Sequence, residues 1–334
     1  MAGLPALVPG GAAGNGDDLN VTRIEVAAAV IRGGDGRVLI ARRPLDKHQG
    51  GLWEFPGGKI EPGETAEAAL GRELQEELGI QVRAARPLIR IHHDYPDKQV
   101  LLDVWEVTAF DGEPHGAEGQ PLAWVRPQDL SAYEFPAANR PIVAAARLPQ
   151  QYLITPDGLA PDELLRGMRL ALERGVRLVQ LRAPALFDPQ YRDLALDAQG
   201  LCAGRAQLML KGPLEWLADF PAAGWHLTAE QLRRYAPKGR PFPRERWLAA
   251  SCHSAEELAL AGQMGADFVT LSPILPTRSH PEAEPLGWHQ AEGLIERCTC
   301  PVYLLGGLTL ERLPQAQGIG AQGIAAIRGL WPLA

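Results

Sequence analysis

Residues 58–80, GKIEPGETAEAALGRELQEELGI, carry an unusual density of carboxylates on a loop and the helix that follows it. Glu73, Glu76 and Glu77 stand at i, i+3 and i+4, so on a helix they project within one arc of about 100°. Carboxylates grouped in this way beside a loop can hold divalent cations against a diphosphate. Leucines at 70, 74 and 78 fill the neighbouring arc, which we expect to pack on a core. The stretch therefore predicts metal-dependent phosphate chemistry.

A solvated, glutamate-rich surface helix is the alternative interpretation, since the pattern E-x-x-E-E alone is common on protein surfaces. The whole stretch, however, fits G-x5-E-x7-R-E-U-x-E-E-x-G-U, where U is aliphatic, without an insertion. This segment is identified as a Nudix box. The matching residues are Gly58, Glu64, Arg72, Glu73, Leu74, Glu76, Glu77, Gly79 and Ile80.

The resemblance to the Nudix box implies hydrolysis of a nucleoside diphosphate linked to another group. Hard oxygen ligands suit Mg²⁺, with Mn²⁺ as a substitute. By the same resemblance the helix carboxylates bind the metal, Gly58 offers a backbone carbonyl, and Glu73 is the general base if a helix carboxylate has that role. Glu64 and Arg72 are expected to form an ion pair that fixes the loop to the helix. The residues assigned to catalysis are Glu64, Arg72, Glu73, Glu76 and Glu77.

The segments on both sides of the box resemble the MutT branch of this superfamily, the 8-oxo-dGTP diphosphatases. ARRPLDKHQGGLWEFPGGK precedes the box, and GEPHGAEGQPLAW and EFPAANRPIV follow it, so the similarity covers about residues 24 to 147. It implies that Glu118 is a further acidic metal ligand and that Asn139 reads the purine edge. Arg43 and Phe55 match nucleotide-contacting positions. The implied reaction converts 8-oxo-dGTP to 8-oxo-dGMP and pyrophosphate, which prevents mutation.

Each of these four residues also has a structural interpretation when it is considered alone. Asn139 would be a helix N-cap before the closing helix, and Glu118 a solvated turn residue in a glycine-rich loop. Phe55 would be a core residue, and Arg43 a surface charge on an edge strand. Their joint occurrence at MutT-like positions favours the functional interpretation.

The order of apolar segments predicts two domains of different architecture. The first is expected at 21–148 as an α/β/α sandwich with a mixed sheet. The predicted elements are strands at 24–32, 37–43, 87–92, 100–108 and 122–125, the box helix at 65–78 and a closing helix at 141–147. Residues 148–150 are the expected boundary. Residues 1–20, rich in Gly, Ala and Pro and without a basic segment, predict a disordered leader or an upstream start codon.

The second half, 151–334, alternates short apolar strands with helical stretches. Eight strand candidates, YLIT, RLVQLR, QLMLKG, GWHLT, WLAASCH, FVTLSP, VYLLGG and GIAAI, predict a compact (β/α)8 TIM barrel. This half resembles thiamine-phosphate synthase and its TenI-like relatives. The resemblance implies a phosphate site at Gly306 and Gly307.

The barrel departs from the synthase pattern where that enzyme handles metal and pyrophosphate. The segment LMLKGPL lacks the Asn-Asp pair expected after the third strand and has Lys211 instead, and His280 stands where a Lys is expected. We therefore expect a catalytically degenerate barrel. Two alternatives stay open: a thiamine-pathway transferase whose Nudix half trims a pathway diphosphate, and a barrel that senses a metabolite and regulates the hydrolase.

Composition restricts the partners. The net charge of −7 over 334 residues argues against direct DNA binding and leaves a small nucleotide as the expected substrate. No run approaches 18 apolar residues, so no membrane span is expected. Four cysteines without a paired spacing predict reduced thiols in a cytoplasmic protein. The sequence does not specify an oligomeric state.

Overall fold

A computed structural model describes residues 23–46, 49–94, 99–186, 188–277 and 281–332. The predicted leader at 1–20 and His280 lie outside these described residues. Within the described ranges, no helix is long and apolar enough to cross a membrane.

The first half of the chain folds around a mixed sheet of seven strands. The strands are β1 (Arg23–Arg32), β2 (Val38–Arg42), β3 (Trp53–Glu54), β4 (Gly57–Lys59), β5 (Gln81–Asp94), β6 (Gln99–Asp111) and β7 (Leu122–Val125). Two α-helices accompany them, α1 (Ala66–Leu78) and α2 (Arg140–Arg147). The short β3 and β4, which the sequence did not indicate, come from the segment WEFPGGK.

Strand β1 is the centre of this sheet, and its alternating residues separate the two helices. It pairs antiparallel with β2 and β4 and parallel with β6. Ala27, Ala29 and Ile31 pack with the leucines of α1. Ala28 and Val30 face the opposite side and pack with α2. Because successive side chains of a strand point to opposite faces, one alanine-rich strand supports helices on both sides. The predicted α/β/α sandwich is confirmed.

Strands β5 and β6 are longer than the sequence predicted. They form an antiparallel ladder from Gln81–Asp111 to Asp94–Gln99 with register shifts near Ala84 and Pro87. Cross-strand ion pairs accompany it, since Arg83 contacts Asp111, Arg86 contacts Glu106 and Arg90 contacts Asp103. Arg83 and Asp111 lie outside the predicted strands, and their charges hid that end of the ladder, because strand prediction relies on apolar alternation.

The second half is a closed barrel of eight parallel strands, as predicted. The strands are β8 (Gln151–Ile154), β9 (Leu178–Leu181), β10 (Gln207–Leu210), β11 (Gly224–Leu227), β12 (Leu248–Cys252), β13 (Phe268–Leu271), β14 (Val302–Leu305) and β15 (Gly323–Ala326). The α-helices around it are α3 (Pro161–Glu173), α4 (Asp188–Cys202), α5 (Ala229–Tyr235), α6 (Ala255–Met264), α7 (Gly287–Ile295) and α8 (Leu313–Gly318). Between β10 and β11 a 3₁₀ helix at Leu214–Ala218 replaces an α-helix.

The inside of the barrel is a packed aromatic core. Tyr152, Phe268 and Tyr303 are fully buried, and the ring centroids of Tyr152 and Phe268 lie 5.4 Å apart. Tyr303 contacts both other rings, at 5.5 and 5.4 Å. Packing of this kind closes the lower part of the barrel.

The barrel completes the end of helix α2. Gln322, immediately before β15, donates from Nε2 to the carbonyl oxygens of Ala145 at 3.1 Å and Leu148 at 3.0 Å. The Tyr303 hydroxyl donates to the Pro149 carbonyl at 2.5 Å, and the guanidinium of Arg147 lies 4.6 Å from the centre of a Trp247 ring. The last carbonyls of a helix lack partners within it, so these contacts join the two halves of the chain.

We expect Gln322→Leu to destabilise the full chain by about 1–3 kcal/mol, because leucine cannot donate to the two buried carbonyls. The shift in the midpoint of urea unfolding measures this. Gln290→Leu, at an exposed position of α7, is the matched control and should leave the midpoint nearly unchanged. An equal effect of both substitutions would contradict the assigned role of Gln322.

Candidate functional site

Helix α1 is fixed at both ends and along one face. The Thr65 hydroxyl accepts a hydrogen bond from the Ala68 N–H at 3.2 Å, and Gly79 ends the helix with φ 69°. Leu70, Leu74 and Leu78 are fully buried against the sheet. The glutamates of the box therefore project from the remaining faces, as their spacing predicted.

Arg72 ties the loop before the helix to the helix itself. Its guanidinium donates to both carboxylate oxygens of Glu64, at 3.1 and 3.0 Å, and to Glu73 Oε1 at 2.8 Å. A further hydrogen bond reaches the Lys59 carbonyl at 3.0 Å. The hydrogen bond from Arg72 lowers the pKa of Glu64. The ion pair thus holds the loop, and it also restricts the orientation of the Glu73 carboxylate.

Glu77 lies at the centre of a group of carboxylates. Its pKa is raised to about 7 by burial first and then by the charges of nearby carboxylates, against a hydrogen bond from the Gly57 N–H at 3.2 Å; these carboxylates are Glu54, Glu73 and Glu118. Like charges this close favour the protonated form unless a cation compensates them. The structure therefore brings together four carboxylates. Two of them, Glu73 and Glu77, belong to the box, and the other two are Glu118 and Glu54. Glu54 was not among the residues predicted from the sequence.

The loop that carries Glu118 is attached to the end of α1. Its Ala117 N–H and the Gln120 side-chain amide both donate to the Glu77 carbonyl, each at 2.9 Å. The Glu118 N–H in turn donates to Gln120 Oε1 at 2.9 Å. The exposed Glu118 carboxylate is consequently held near Glu77, 41 positions earlier in the chain, by a ring of backbone and amide contacts.

Glu76 occupies the outer side of the helix. Its side chain is 62% exposed, and it lies 3.6 Å from the Arg72 guanidinium. Of the three box carboxylates predicted as metal ligands, Glu73 and Glu77 are thus the ones that take part in the group around Glu77.

Glycines let the loop approach the helix. A Cβ on Gly58 would lie 2.2–2.3 Å from the carboxylate atoms of Glu73, so the backbone at this position is in contact with that carboxylate. Gly57 has φ 145°, and a Cβ there would lie 2.1 Å from the Ala27 carbonyl oxygen. Side chains at either position would separate β4 from β1 and α1.

The chemistry of these donors fits a hard divalent cation. They are carboxylates and a close backbone segment, and they concentrate negative charge where burial disfavours it. Within the described residues, no three His, Cys, Asp or Glu side chains converge closely enough to form a metal site by themselves. The donor set therefore suits a hard divalent cation that takes the rest of its ligands from water, backbone and phosphate oxygens.

The residues predicted to contact the nucleotide lie in different environments. Arg43 forms an ion pair with Glu54. Phe55 is only 4% exposed and stacks on Phe135 with centroids 5.3 Å apart and planes 15° from parallel. Phe55 is thus part of the core, which is the structural alternative given for it above. Phe135 is the more exposed ring of the pair. Phe135 was not among the residues predicted from the sequence, although its place in EFPAAN was an available signal.

Asn139 lies at the junction of a 3₁₀ turn (Ala137–Asn139) and α2. Its side chain makes no capping hydrogen bond to the helix, although it occupies the N-cap position. Ala138, beside it, packs in the same core cluster as Phe55 and Phe135. Asn139 therefore follows a residue of the Phe55–Phe135 cluster along the chain, and its side chain does not serve as a helix cap.

A second site lies at the carboxyl ends of the barrel strands. A cavity of about 880 Å³ is lined there by Gly306 and Gly307 after β14 and by Lys211 after β10. Gly306 and Gly307 have φ 108° and 68°, and Cβ atoms would lie 2.9 Å from Pro273 Cα and 2.8 Å from Leu275 Cβ, respectively. The predicted phosphate position is a tight backbone turn open to this cavity.

The mouth of the barrel does not fit a metal–pyrophosphate site. Among the described lining residues the only carboxylate is the exposed Glu282. Lys211 stands instead at the end of β10, and burial, with the charge of Arg182, lowers its pKa to about 8. A cation in this position takes the place that oxygen ligands to a metal would need.

Comparison with known proteins agrees with this division of the chain. A family model described as NUDIX domain matches residues 27–145, and one described as thiamine monophosphate synthase matches residues 151–330. An 8-oxo-dGTP diphosphatase of Escherichia coli (strain K12) is 42% identical over 122 residues, which are 36% of this chain and 95% of the relative. The chain belongs to both families. It is a Nudix hydrolase, acting on phosphoanhydrides, joined to a thiamine monophosphate synthase-family barrel.

Each half of the chain has a further relative with a named activity. A putative thiamine-phosphate synthase 2 of Aquifex aeolicus is 36% identical over 181 residues, 54% of this chain and 96% of that protein. A CTP pyrophosphohydrolase of Escherichia coli (strain K12) is 39% identical over 122 residues, 36% of this chain and 90% of that protein. The Nudix half thus resembles enzymes named for two different nucleotides.

We expect Gly58→Ala to lower kcat/KM for nucleotide hydrolysis by at least about tenfold, because the new methyl group displaces the Glu73 carboxylate. Pyrophosphate release measures this. Gly71→Ala is the matched control in α1: its Cβ meets nothing within 4 Å, and alanine favours the helix by up to about 1 kcal/mol. Full activity of Gly58→Ala would show that the loop does not need this close contact.

Proposed function

We propose that the Nudix half hydrolyses 8-oxo-dGTP to 8-oxo-dGMP and pyrophosphate with Mg²⁺, with Mn²⁺ as a substitute, and so protects the nucleotide pool from mutagenic guanine. The observation that carries the proposal is the position of Glu118, which its loop holds beside the carboxylates of the Nudix box. The similarity to 8-oxo-dGTP diphosphatases supports the choice of nucleotide. The substrate is a small molecule, and no DNA contact is required.

In this proposal the carboxylates of Glu73, Glu77 and Glu118 and the backbone of Gly58 would hold the cation, with Glu76 at the outer edge. Bound Mg²⁺ neutralises phosphate charge and lowers the pKa of water beside it. Arg72 keeps Glu73 in one orientation through the hydrogen bond of 2.8 Å, and Glu73 accepts the proton of the attacking water. Attack at the β-phosphorus then releases pyrophosphate.

Asn139 supplies the base selectivity. Its amide donates to O6 and accepts from N7–H of the oxidised purine. In dGTP the N7 atom is an acceptor, so the amide oxygen would face it without a hydrogen bond. A site built for a donor rejects a ligand that lacks one, because a polar group is left unpaired. In this proposal the base packs beside the Phe55–Phe135 pair, and Arg43 contacts the nucleotide.

We expect the full chain with Mg²⁺ to hydrolyse 8-oxo-dGTP with a kcat/KM at least tenfold above that for dGTP or CTP, since one unpaired polar group costs about 1–3 kcal/mol. Initial rates on the three nucleotides measure this. A preference below tenfold over dGTP would contradict the assignment to damaged guanine. A kcat/KM that is higher for CTP than for 8-oxo-dGTP would instead assign the enzyme to pyrimidine nucleotides, as the similarity to a CTP pyrophosphohydrolase would suggest.

We expect Asn139→Ala to reduce the preference for 8-oxo-dGTP over dGTP by about tenfold, while turnover of dGTP is retained, because only base recognition is lost. Glu73→Gln and Glu77→Gln keep the side-chain size and should abolish turnover of both nucleotides. Equal losses on both nucleotides in Asn139→Ala would instead assign this residue to the stability of α2.

For the barrel, we propose a phosphate position at Gly306 and Gly307 within a domain at 151–334 that has lost synthase activity. The absence of carboxylates other than Glu282 among the described lining residues supports the loss. It also weakens the thiamine-pathway transferase alternative, which needs coordination of a pyrophosphate leaving group.

A further inference from the structure

The mouth of the barrel is a cationic cavity. Arg182, Lys211 and Arg328 line it, together with two histidines, and Glu282 is the one carboxylate among the described residues that do so. Arg182 is paired with Asp157. For Lys211 the described part of the chain offers no carboxylate partner, and the charge that acts on its pKa is the repulsive one of Arg182. A cavity with this balance selects an anionic ligand.

The Lys211 side chain lies within reach of a hydroxyl group. Its Nζ atom lies 3.3 Å from Ser251 Oγ at the end of β12. Burial and the nearby guanidinium of Arg182 lower its pKa to about 8, so an appreciable share of the amine is unprotonated at neutral pH. Amines in this state are nucleophiles toward carbonyl carbon.

A chain of hydrogen bonds orients the Ser251 hydroxyl. Gln180 Nε2 donates to the Tyr152 hydroxyl at 2.9 Å, and Tyr152 donates onward to His226 Nδ1 at 3.0 Å. His226 therefore carries its proton on Nε2, which donates to Ser251 Oγ at 3.0 Å. Burial also lowers the pKa of His226 and keeps it neutral. With its oxygen accepting from His226 and Lys211, Ser251 can direct its own proton into the cavity.

Two further features point to a ligand in this space. The Thr270 hydroxyl lines the cavity, is 1% exposed and has no hydrogen-bond partner in the described structure. Buried hydroxyls normally have a hydrogen-bond partner, so the Thr270 hydroxyl is available to bond with a polar group of a ligand. The glycine turn after β14 lies four strands from β10 in the closed barrel, on the opposite side of the mouth. A ligand seated at both places carries its phosphate away from Lys211.

We propose that this cavity binds a small phosphorylated aldehyde or ketone without a metal ion, and that the Lys211 amine forms an imine with its carbonyl carbon. Addition of the amine to the carbonyl gives a carbinolamine. The C–O bond then breaks, the carbinolamine oxygen leaves as water with a proton from Ser251, and the nitrogen lone pair forms the C=N bond. The proton lost by nitrogen returns to Ser251, so the overall change is amine plus carbonyl to imine plus water. The phosphate half of the assignment rests on the proposed position at Gly306 and Gly307.

Reductive trapping tests the proposal on the full chain. Glyceraldehyde 3-phosphate is added with borohydride, and the modified peptides are mapped by mass spectrometry over the five lysines of the chain. We expect Lys211 to be modified at least about tenfold faster than the exposed Lys59 and Lys238, and inorganic phosphate to slow its modification. Modification of Lys211 no faster than of Lys238 would overturn the imine.

Matched reagents and variants separate the parts of the assignment. Glyceraldehyde, which lacks the phosphate, should not select Lys211; equal selection would overturn the phosphate half and leave the imine. Ser251→Ala should slow trapping at Lys211 at least about tenfold while protection by phosphate is kept, whereas an unchanged rate would remove Ser251 from the proton transfer. Nucleotide hydrolysis, measured on the same samples, reports on the Nudix half independently.

Discussion

Packing of one leucine face on α1 is the interaction on which the first site depends. Leu70, Leu74 and Leu78 are fully buried, and burial of each stabilises the fold by about 1.5–3 kcal/mol. That face fixes the rotation of the helix, so the carboxylates of Glu73 and Glu77 are kept at the cleft despite their mutual repulsion. The raised pKa of Glu77 is the electrostatic cost of this arrangement. Apolar packing thus holds in place a charge distribution that would not assemble alone.

The two sites have opposite charge, and we propose that they handle phosphate in opposite ways. Carboxylates dominate the Nudix site, so a phosphate can approach only when cations lie between them. Lys211 and its basic neighbours dominate the barrel mouth, and a phosphate can bind there directly. The net charge of the chain conceals this contrast, since it averages two cavities of different sign.

The local part of the architecture could be predicted from the sequence, and the distant contacts could not. The spacing of leucines and glutamates predicted α1 and its two faces, and apolar runs predicted the barrel strands. Glu54 was missed because its proximity to Glu77 depends on how β3 lies beside the helix, which no local period indicates. Phe135 was missed for the same reason. Phe55, selected by resemblance, proved to be almost fully buried, and the polar ends of β5 and β6 near Arg83 and Asp111 were hidden by charges that pair across strands.

The contacts of Gln322 with the end of α2 have a consequence for synthesis of the chain. The amide that satisfies the Ala145 carbonyl lies 177 residues further along. During translation the Nudix half emerges first, but the last turn of its closing helix cannot acquire these partners until β15 has been made. Water must satisfy the carbonyls of Ala145 and Leu148 in the interval. Asn139 stands at the other end of the same helix, so the helix that follows it gains the last of these hydrogen bonds only when the ribosome has completed the barrel.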